Sequence, residues 1–316
     1  MESIVKDFIE LVSINSSSKK ERLVADRIEK LFNSLGIDYF EDNTGEKVNG
    51  NTGNLIGKLK GRKGIKPILF SAHLDRVSNG ENIKPKIENG KIISSGNTIL
   101  AADDVAGIVS IIHGIKMAKE ENKAHGDIEI VFTVCEEVGL LGSKYLEYSG
   151  LESKMGFVLD SVGRLGRIIN SAISKNTVEV KIYGKSSHAG NAPEKGINAI
   201  KGASIFLANI VEGRINEITT SNFGKIQGGS ATNVVCDYVE ILGEIRSHDE
   251  KEIDNYKKYL CEKAKEVEEN SKVKIDINFT ENYKSFSIEE DEEVCEILQK
   301  SFKKLGIKPK FEKGGG

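Results

Sequence analysis

The sequence predicts an α/β fold with a mainly parallel sheet flanked by helices, into which a smaller α+β domain is inserted. The chain has 316 residues, more than one typical domain. Its first half alternates short apolar strands with helical patterns, as in a parallel α/β sheet. Residues 176–284 follow a β-α-β-β-α-β order, typical of a ferredoxin-like sandwich. We therefore assign residues 1–175 and 285–316 to the larger domain and residues 176–284 to the insertion.

The chain begins with two amphipathic helical patterns, at residues 2–12 and 19–35. Short apolar runs then predict strands at residues 54–59 and 67–73. The second run is continuously apolar, as expected of a strand covered on both faces. His73 therefore lies at the carboxyl end of a buried strand, where ligands gather in open α/β sheets.

Carboxylate residues lie at the ends of later predicted strands and at the start of a predicted helix. A hairpin is predicted around the Asn89-Gly90 turn, before the first of them. The carboxylates are Asp103 and Asp104 at the start of a helix, Glu136 and Glu137 after a strand at residues 128–134, and Asp160 at the end of a strand that starts at Phe157. Taken alone, Asp103 is best interpreted as a helix cap, but the whole set favours one shared site at a single sheet edge.

The second half changes to strands of period 2 and charged amphipathic helices. The predicted elements are a strand at 177–183, a helix from Pro193 to Gly213, strands at 223–227 and 238–246, a helix at 249–268 and a strand at 273–279. A helix at 289–305 and a strand at 308–311 then resume the first pattern.

Composition excludes several classes of protein. The 45 Lys and Arg residues against 48 Asp and Glu residues lack the basic excess that nucleic-acid binding requires. No apolar run approaches the roughly 20 residues of a membrane span, so we expect a cytoplasmic protein with no membrane contact. The four cysteines are too scattered for a disulfide framework. Cys135 ends an apolar run, which favours a buried thiol over a nucleophile.

An imidazole and several carboxylates are the ligands that zinc and similar divalent ions take. Two ions that share a carboxylate lower the pKa of a water, and a further carboxylate then accepts its proton. Glu136 and Glu137 are adjacent at the end of a strand, which suits a base and a ligand better than a glycosidase pair on two different elements. Asp75 points the same way as His73 in an extended strand, so it can orient the imidazole.

Four motifs carry a resemblance to a known family. They are His73-Leu-Asp75-Arg-Val77, Ala102-Asp103-Asp104-Val-Ala-Gly107, Glu136-Glu137-Val-Gly139-Leu-Leu-Gly142 and Leu159-Asp160. Their order and spacing resemble the metal motifs of the two-zinc exopeptidases, the family of peptidase T, carboxypeptidase G, aminoacylase and succinyl-diaminopimelate desuccinylase. The stretch around Glu136 is most similar to the peptidase T branch, the tripeptide aminopeptidases.

The resemblance implies a zinc-exopeptidase-like catalytic domain and an inserted lid or dimerisation domain. It implies that His73 and Asp160 hold one zinc ion, that Asp103 bridges, that Glu137 holds the other ion, and that the catalytic residues are Glu136, the general base, and Asp75, which orients His73. His188, Asn233 and Arg246 match positions that bind substrate. Cobalt or manganese are alternatives to zinc. We expect short peptides as substrates and a homodimer formed through the inserted domain.

The sequence departs from the family at three places. The family's last zinc ligand is a His that follows a Gly-rich loop, and the sequence stops at Gly314-Gly315-Gly316, so the second zinc site is incomplete in it. Of the two explanations, a piece of a longer protein is favoured over an incomplete site. Arg76 stands where a small residue is usual, and it is expected to pair with an acid, touch substrate or lie in solvent. Val105 stands where Lys is usual.

Several alternatives stay open at this point. His113 and His125 are interpreted as structural or solvent residues, and His248 is ambiguous. A carboxypeptidase or an N-acyl amino acid deacylase would use the same metal core as an aminopeptidase, and the pocket alone distinguishes them. A non-catalytic protein that binds peptide or metal is the alternative from a different class.

Overall fold

A computed structural model describes residues 3–314 of the chain. The chain divides into two compact units, the first ending at Gly163 and the second beginning at Arg164. Within residues 3–314, no helix has both the length and the apolar content needed to cross a membrane.

The first unit mixes helices and short strands along its whole length. Its helices are α1 (Ser3–Ser13), α2 (Arg22–Leu35), α3 (Thr44–Val48), α4 (Ala102–Glu120) and α5 (Leu141–Lys144), with a 3-10 turn at Tyr148–Gly150. Its strands are β1 (Asp38–Glu41), β2 (Leu55–Leu59), β3 (Ile68–His73), β4 (Pro85–Glu88), β5 (Lys91–Ser94), β6 (Ile128–Thr133) and β7 (Gly156–Val158).

The helices α1 and α2 form where their apolar periodicity predicts them. Leu11 and Val12 of α1 and Val24 and Ile28 of α2 are fully buried, so each helix packs one stripe against the core. The chain leaves α2 through Gly36, whose φ of 62° is a left-handed conformation that glycine adopts without strain.

Strands β1, β2, β6, β3 and β7 form one sheet in that order. The pairings of β6 with β3 and of β3 with β7 are parallel, whereas β1 with β2 and β2 with β6 are antiparallel. The predicted α/β class is confirmed, and the strands that precede the site residues are its parallel part. Strands β4 and β5 form the predicted hairpin around Asn89 and Gly90, both at positive φ.

The second unit contains the element order predicted for the insertion. Its helices are α6 (Ala199–Asn209), α7 (Glu250–Ser271) and α8 (Glu293–Lys304), with a 3-10 turn at Pro193–Lys195. Its strands are β8 (Arg167–Ala172), β9 (Ser174–Tyr183), β10 (Gly213–Arg214), β11 (Thr219–Gly228), β12 (Tyr238–Ser247), β13 (Lys274–Tyr283), β14 (Phe286–Ser287) and β15 (Lys310–Lys313).

The larger sheet of this unit runs β10-β11-β12-β9-β13 and is antiparallel throughout. Helices α6 and α7 pack on it over a core that includes Val180, Phe206 and Leu260. This arrangement confirms the ferredoxin-like prediction. The predicted helix from Pro193 is wrong at its start, because α6 begins after Asn198, whose side chain accepts the N–H of Lys201. A smaller sheet, β14-β8-β15, includes β8, which the sequence did not predict.

Candidate metal centre

His73 lies at the carboxyl end of β3 and is 3% exposed. Its Nε2 atom is 2.9 Å from Oδ1 of Asp103, 3.8 Å from Oδ1 of Asp160 and 4.0 Å from Oε2 of Glu136. One imidazole nitrogen therefore faces carboxylates from three separate segments of the chain.

The sheet order brings these segments together. β3 lies between β6 and β7 with both pairings parallel, so the residues that follow the three strands meet at one edge. Glu136 and Glu137 follow β6, and Asp160 follows β7. The N–H of Leu159 donates to the carbonyl of Ser71 at 2.9 Å, so the chain stays hydrogen-bonded to β3 as far as the residue before Asp160.

The Asp103-Asp104 pair begins α4 without helical backbone geometry. Asp103 has φ −85° and ψ 107°, Asp104 has φ −118° and ψ 32°, and the peptide bond between them is cis. Asp103 does not cap the regular part of the helix, whereas Asp104 does, because its Oδ1 accepts a backbone N–H three residues further on. Asp103 faces His73, while Asp104 accepts the N–H of His73 at 3.2 Å and that of Gly107 at 3.1 Å. The second acid thus joins the start of α4 to the end of β3.

Asp75 lies behind His73 and is 1% exposed. Its Oδ1 is 3.4 Å from Nδ1 of His73, a close charge pair whose geometry falls short of a hydrogen bond. The same carboxylate accepts the backbone N–H groups of Glu136 at 2.8 Å and Glu137 at 3.2 Å, and the hydroxyl of Ser18 at 2.6 Å. Asp75 therefore fixes the backbone of the two glutamates and lies directly against the imidazole.

Crowded carboxylates and burial shift the acid–base properties of the cluster. Burial raises the pKa of Asp104 to about 8, with a contribution from the charge of Asp160. Burial likewise raises the pKa of Asp160 to about 7, and Asp103 and Glu136 add to this against the opposing effect of His73. Burial lowers the pKa of His73, but Asp103 and Asp75 outweigh it and raise the value to about 11. The cluster therefore has a strong affinity for positive charge.

The donor atoms fit a divalent metal ion. Ligand atoms of His73, Asp103 and Glu137 all lie within 4.8 Å of one another, and so do those of His73, Asp104 and Asp160. The two groups contain all four predicted metal ligands, and His73 belongs to both. Asp104 was not predicted as a ligand. A neutral imidazole with carboxylate oxygens is a usual zinc ligand set, and metal binding would replace the proton on Nε2.

The predicted substrate-binding residues lie in the second unit. His188 is exposed, and its Nδ1 accepts the N–H groups of Gly190 and Asn191, both at 3.2 Å. The neighbouring N–H of Ala189 donates to the carbonyl of Asn233 at 2.9 Å, so the loops of His188 and Asn233 lie side by side. Arg246 lies on β12, where its Nε donates to Oε1 of Glu244 at 2.7 Å.

Arg76 corrects an expectation drawn from the sequence. It is 2% exposed, which excludes the solvated position. Its guanidinium donates to the carbonyls of Val12 at 2.9 Å and of Leu11 and Gly80 at 3.3 Å, so these hydrogen bonds go to backbone oxygens and not to an acid. Since Leu11 and Val12 end α1, the cation satisfies carbonyls at a helix C-terminus, where positive charge is favourable.

The remaining histidines lie outside the cluster. Nε2 of His113 is 2.8 Å from Oδ2 of Asp7, and Nδ1 of His125 is 2.7 Å from the carbonyl of Gly126. His248 in the second unit has a buried Nδ1 with no hydrogen-bond partner among residues 3–314. Two contacts of the cluster were not predicted from the sequence: Asp104 with the backbone of His73, and Ser18 with Asp75. Ser18 was expected only as a capping candidate for α2, because a hydroxyl far away in sequence gives no periodic signal.

Two peptidase family models match parts of the chain. Residues 174–272 match the peptidase dimerisation domain of the M20 peptidases, and residues 54–200 match peptidase family M28. The Bacillus subtilis (strain 168) protein YqjE is 39% identical over 99% of this chain and 84% of its own length.

Two solved structures are similar over almost the whole chain. The aminopeptidase PepT from Bacillus cereus ATCC 10987 has a TM-score of 0.92 and 37% identity, covering 99% of this chain and 84% of that one. A tripeptidase from Staphylococcus aureus has a TM-score of 0.93 and 32% identity, with the same coverage. The fold and the cluster thus define a peptidase, a hydrolase of peptide bonds. More narrowly, the chain belongs to the peptidase T branch of the M20 peptidases.

Proposed function

We propose that this protein is a zinc-dependent aminopeptidase that removes the N-terminal residue from tripeptides. One observation carries the proposal: His73, Asp103, Glu136, Glu137 and Asp160 converge at the carboxyl ends of three adjacent strands. The preference for tripeptides is supported by the similarity to PepT and to the tripeptidase.

His73 and Asp160 would hold one ion, Glu137 the other, and Asp103 would bridge the two. This assignment follows the family resemblance, and the grouping of these side chains around His73 supports a shared metal site. When bound, the ions supply Lewis acidity, which polarises the substrate carbonyl and lowers the pKa of a water. Asp104 serves the backbone in this proposal, because both of its oxygens already accept N–H groups.

Glu136 acts as the general base: it takes a proton from the attacking water and returns it to the leaving amine. Burial raises its pKa above the usual range, and the charges of Glu137 and Asp75 add to this while His73 opposes it. A raised pKa suits a carboxylate that must accept a proton near neutral pH. Asp75 holds the backbone of Glu136 and the imidazole of His73 in place.

The exposed His188 and Asn233 and the guanidinium of Arg246 would bind the substrate. We propose residues 176–284 as the inserted lid and dimerisation domain and residues 1–175 with 285–316 as the catalytic domain, so that the protein acts as a homodimer. The dimerisation-domain match at residues 174–272 supports this division. A cytoplasmic location agrees with four free cysteines, Cys135, Cys236, Cys261 and Cys295.

The proposal is tested with three tripeptides of one sequence: free, N-acetylated and C-amidated. The full-length protein is freed of metal with a chelator and reconstituted with zinc, cobalt or manganese, and the released amino acids are identified. An aminopeptidase cleaves the free and C-amidated peptides at the first bond and leaves the N-acetylated peptide intact. Cleavage of the N-acetylated peptide at either end would instead indicate a deacylase or a carboxypeptidase.

A further inference from the structure

The connection between α1 and α2, residues 16–21, contacts the ends of two strands that lead to the metal centre. Ser16 donates its hydroxyl hydrogen to the carbonyl of Leu74, and its own carbonyl accepts the N–H of Arg76 at 3.1 Å. Both contacts flank Asp75, so the connection lies along the chain just beyond β3.

Ser18 makes the direct contact to the site. Its hydroxyl donates to Oδ2 of Asp75 at 2.6 Å, a short bond of the kind formed between a hydroxyl and a charged carboxylate. Oδ2 also accepts the N–H of Glu137, while Oδ1 accepts the N–H of Glu136 and lies 3.4 Å from Nδ1 of His73. Together with the two backbone N–H groups, the Ser18 bond therefore holds the plane of the Asp75 carboxylate relative to the imidazole.

Glu21 extends the connection to the second strand end. It is fully buried, and its Oε1 accepts the N–H of Lys19 at 2.9 Å and that of Cys135 at 3.1 Å. Cys135 directly precedes Glu136, so the two bonds of Glu21 tie residues 16–21 to the segment that carries the two glutamates. Ser18 is thus held on a fixed backbone opposite Asp75.

We propose that Ser18 is a positioning residue for the metal centre and that it acts through Asp75. The inference rests on the proposed function, because it assumes that His73 and Glu137 bind metal. A metal-binding side chain is held in its orientation by the residues that hydrogen-bond to it. Loss of such a residue typically lowers metal affinity by about 10–100-fold. Ser18 is one contact further from the ligand than Asp75, so the expected loss is smaller than this range, about 3–10-fold.

The experiment measures the metal dissociation constant of the full-length protein by competition with a chromophoric chelator. Ser18→Ala is compared with Ser17→Ala, the matched control, because the Ser17 hydroxyl donates at 3.0 Å to the exposed Glu81. We expect Ser18→Ala to weaken binding by about 3–10-fold and Ser17→Ala to leave it unchanged. Ser18→Thr keeps a hydroxyl and should bind metal with the affinity of the wild-type protein. If the role of Ser18 were merely structural, Ser18→Thr and Ser18→Ala would have the same metal affinity. Urea unfolding of each variant shows that the comparison is made on folded protein.

A double-mutant cycle tests whether the effect passes through Asp75. In the Asp75→Ala background the hydroxyl of Ser18 has lost its acceptor, so Ser18→Ala should cause no further loss of affinity. Additive losses, or equal affinity of Ser18→Ala and Ser17→Ala, would overturn the inference while leaving the proposed function intact. Failure of the wild-type protein to bind metal would overturn both.

Discussion

The backbone N–H of Glu136 donates a 2.8 Å hydrogen bond to Oδ1 of Asp75, which precedes it by 61 residues. Asp75 lies just beyond β3, which ends in His73, and Glu136 lies just beyond the neighbouring strand β6. Because Oδ1 also lies 3.4 Å from Nδ1 of His73, one carboxylate sets the relative placement of a ligand and the base.

Replacing Glu136 by Gln should abolish turnover and keep the metal. The amide cannot accept the proton of the attacking water, so kcat should fall by about 10²–10⁴-fold. The measurements are tripeptide hydrolysis and metal content. Glu120→Gln, at an exposed position of α4, is the control and should behave as wild type. Hydrolysis within a few-fold of wild type would rule out Glu136 as the base.

Replacing His73 by Ala should lower the amount of bound metal as well as activity, since His73 belongs to both ligand groups. His113→Ala is the matched control, because His113 is also largely buried but pairs with Asp7 outside the cluster. Metal content per chain is measured after dialysis. A His73→Ala variant that retains the wild-type amount of metal contradicts the proposed ligand role.

Two glycines of α4 should respond to alanine in opposite directions. A Cβ at Gly107 would collide with Oδ1 of Asp104 and lie 2.6 Å from the carbonyl of Leu159, whereas a Cβ at Gly114 meets nothing within 4 Å. We expect Gly107→Ala to lower the free energy of unfolding by about 1–3 kcal/mol and Gly114→Ala to raise it by about 0.5–1 kcal/mol. Urea unfolding gives both values. Equal effects at the two positions would show that the close approach at Gly107 does not constrain the backbone.

Replacing Arg76 by Met should destabilise the first unit. The substitution leaves the carbonyls of Leu11, Val12 and Gly80 without these donors in a buried setting, at a cost of about 1–3 kcal/mol. Arg62→Met, at an exposed position, should change stability by less than about 0.5 kcal/mol. The free energy of unfolding in urea distinguishes them. No loss at Arg76 would mean that other groups or water take over these carbonyls.

The strand-end placement of the site was predictable because apolar runs end where the chain leaves the sheet. This signal places His73 at the end of β3, the glutamates after β6 and Asp160 after β7, and the structure has all three. Periodicity carries no information on Arg76, whose partners are backbone carbonyls up to 65 residues away. Strand β8 was missed for a related reason: its neighbours β14 and β15 lie far along the chain, and its burial does not alternate regularly.

The bond between Ser18 and Asp75 spans 57 residues, and that between Glu21 and Cys135 spans 114. Contacts of such long range cost loop-closure entropy, so they are stable only when the rest of the fold supports them. A chain that has not finished folding would present separate carboxylates and no assembled set of metal ligands. We therefore expect metal uptake to follow completion of the first unit, so that acquisition of the ion marks a chain that has finished folding.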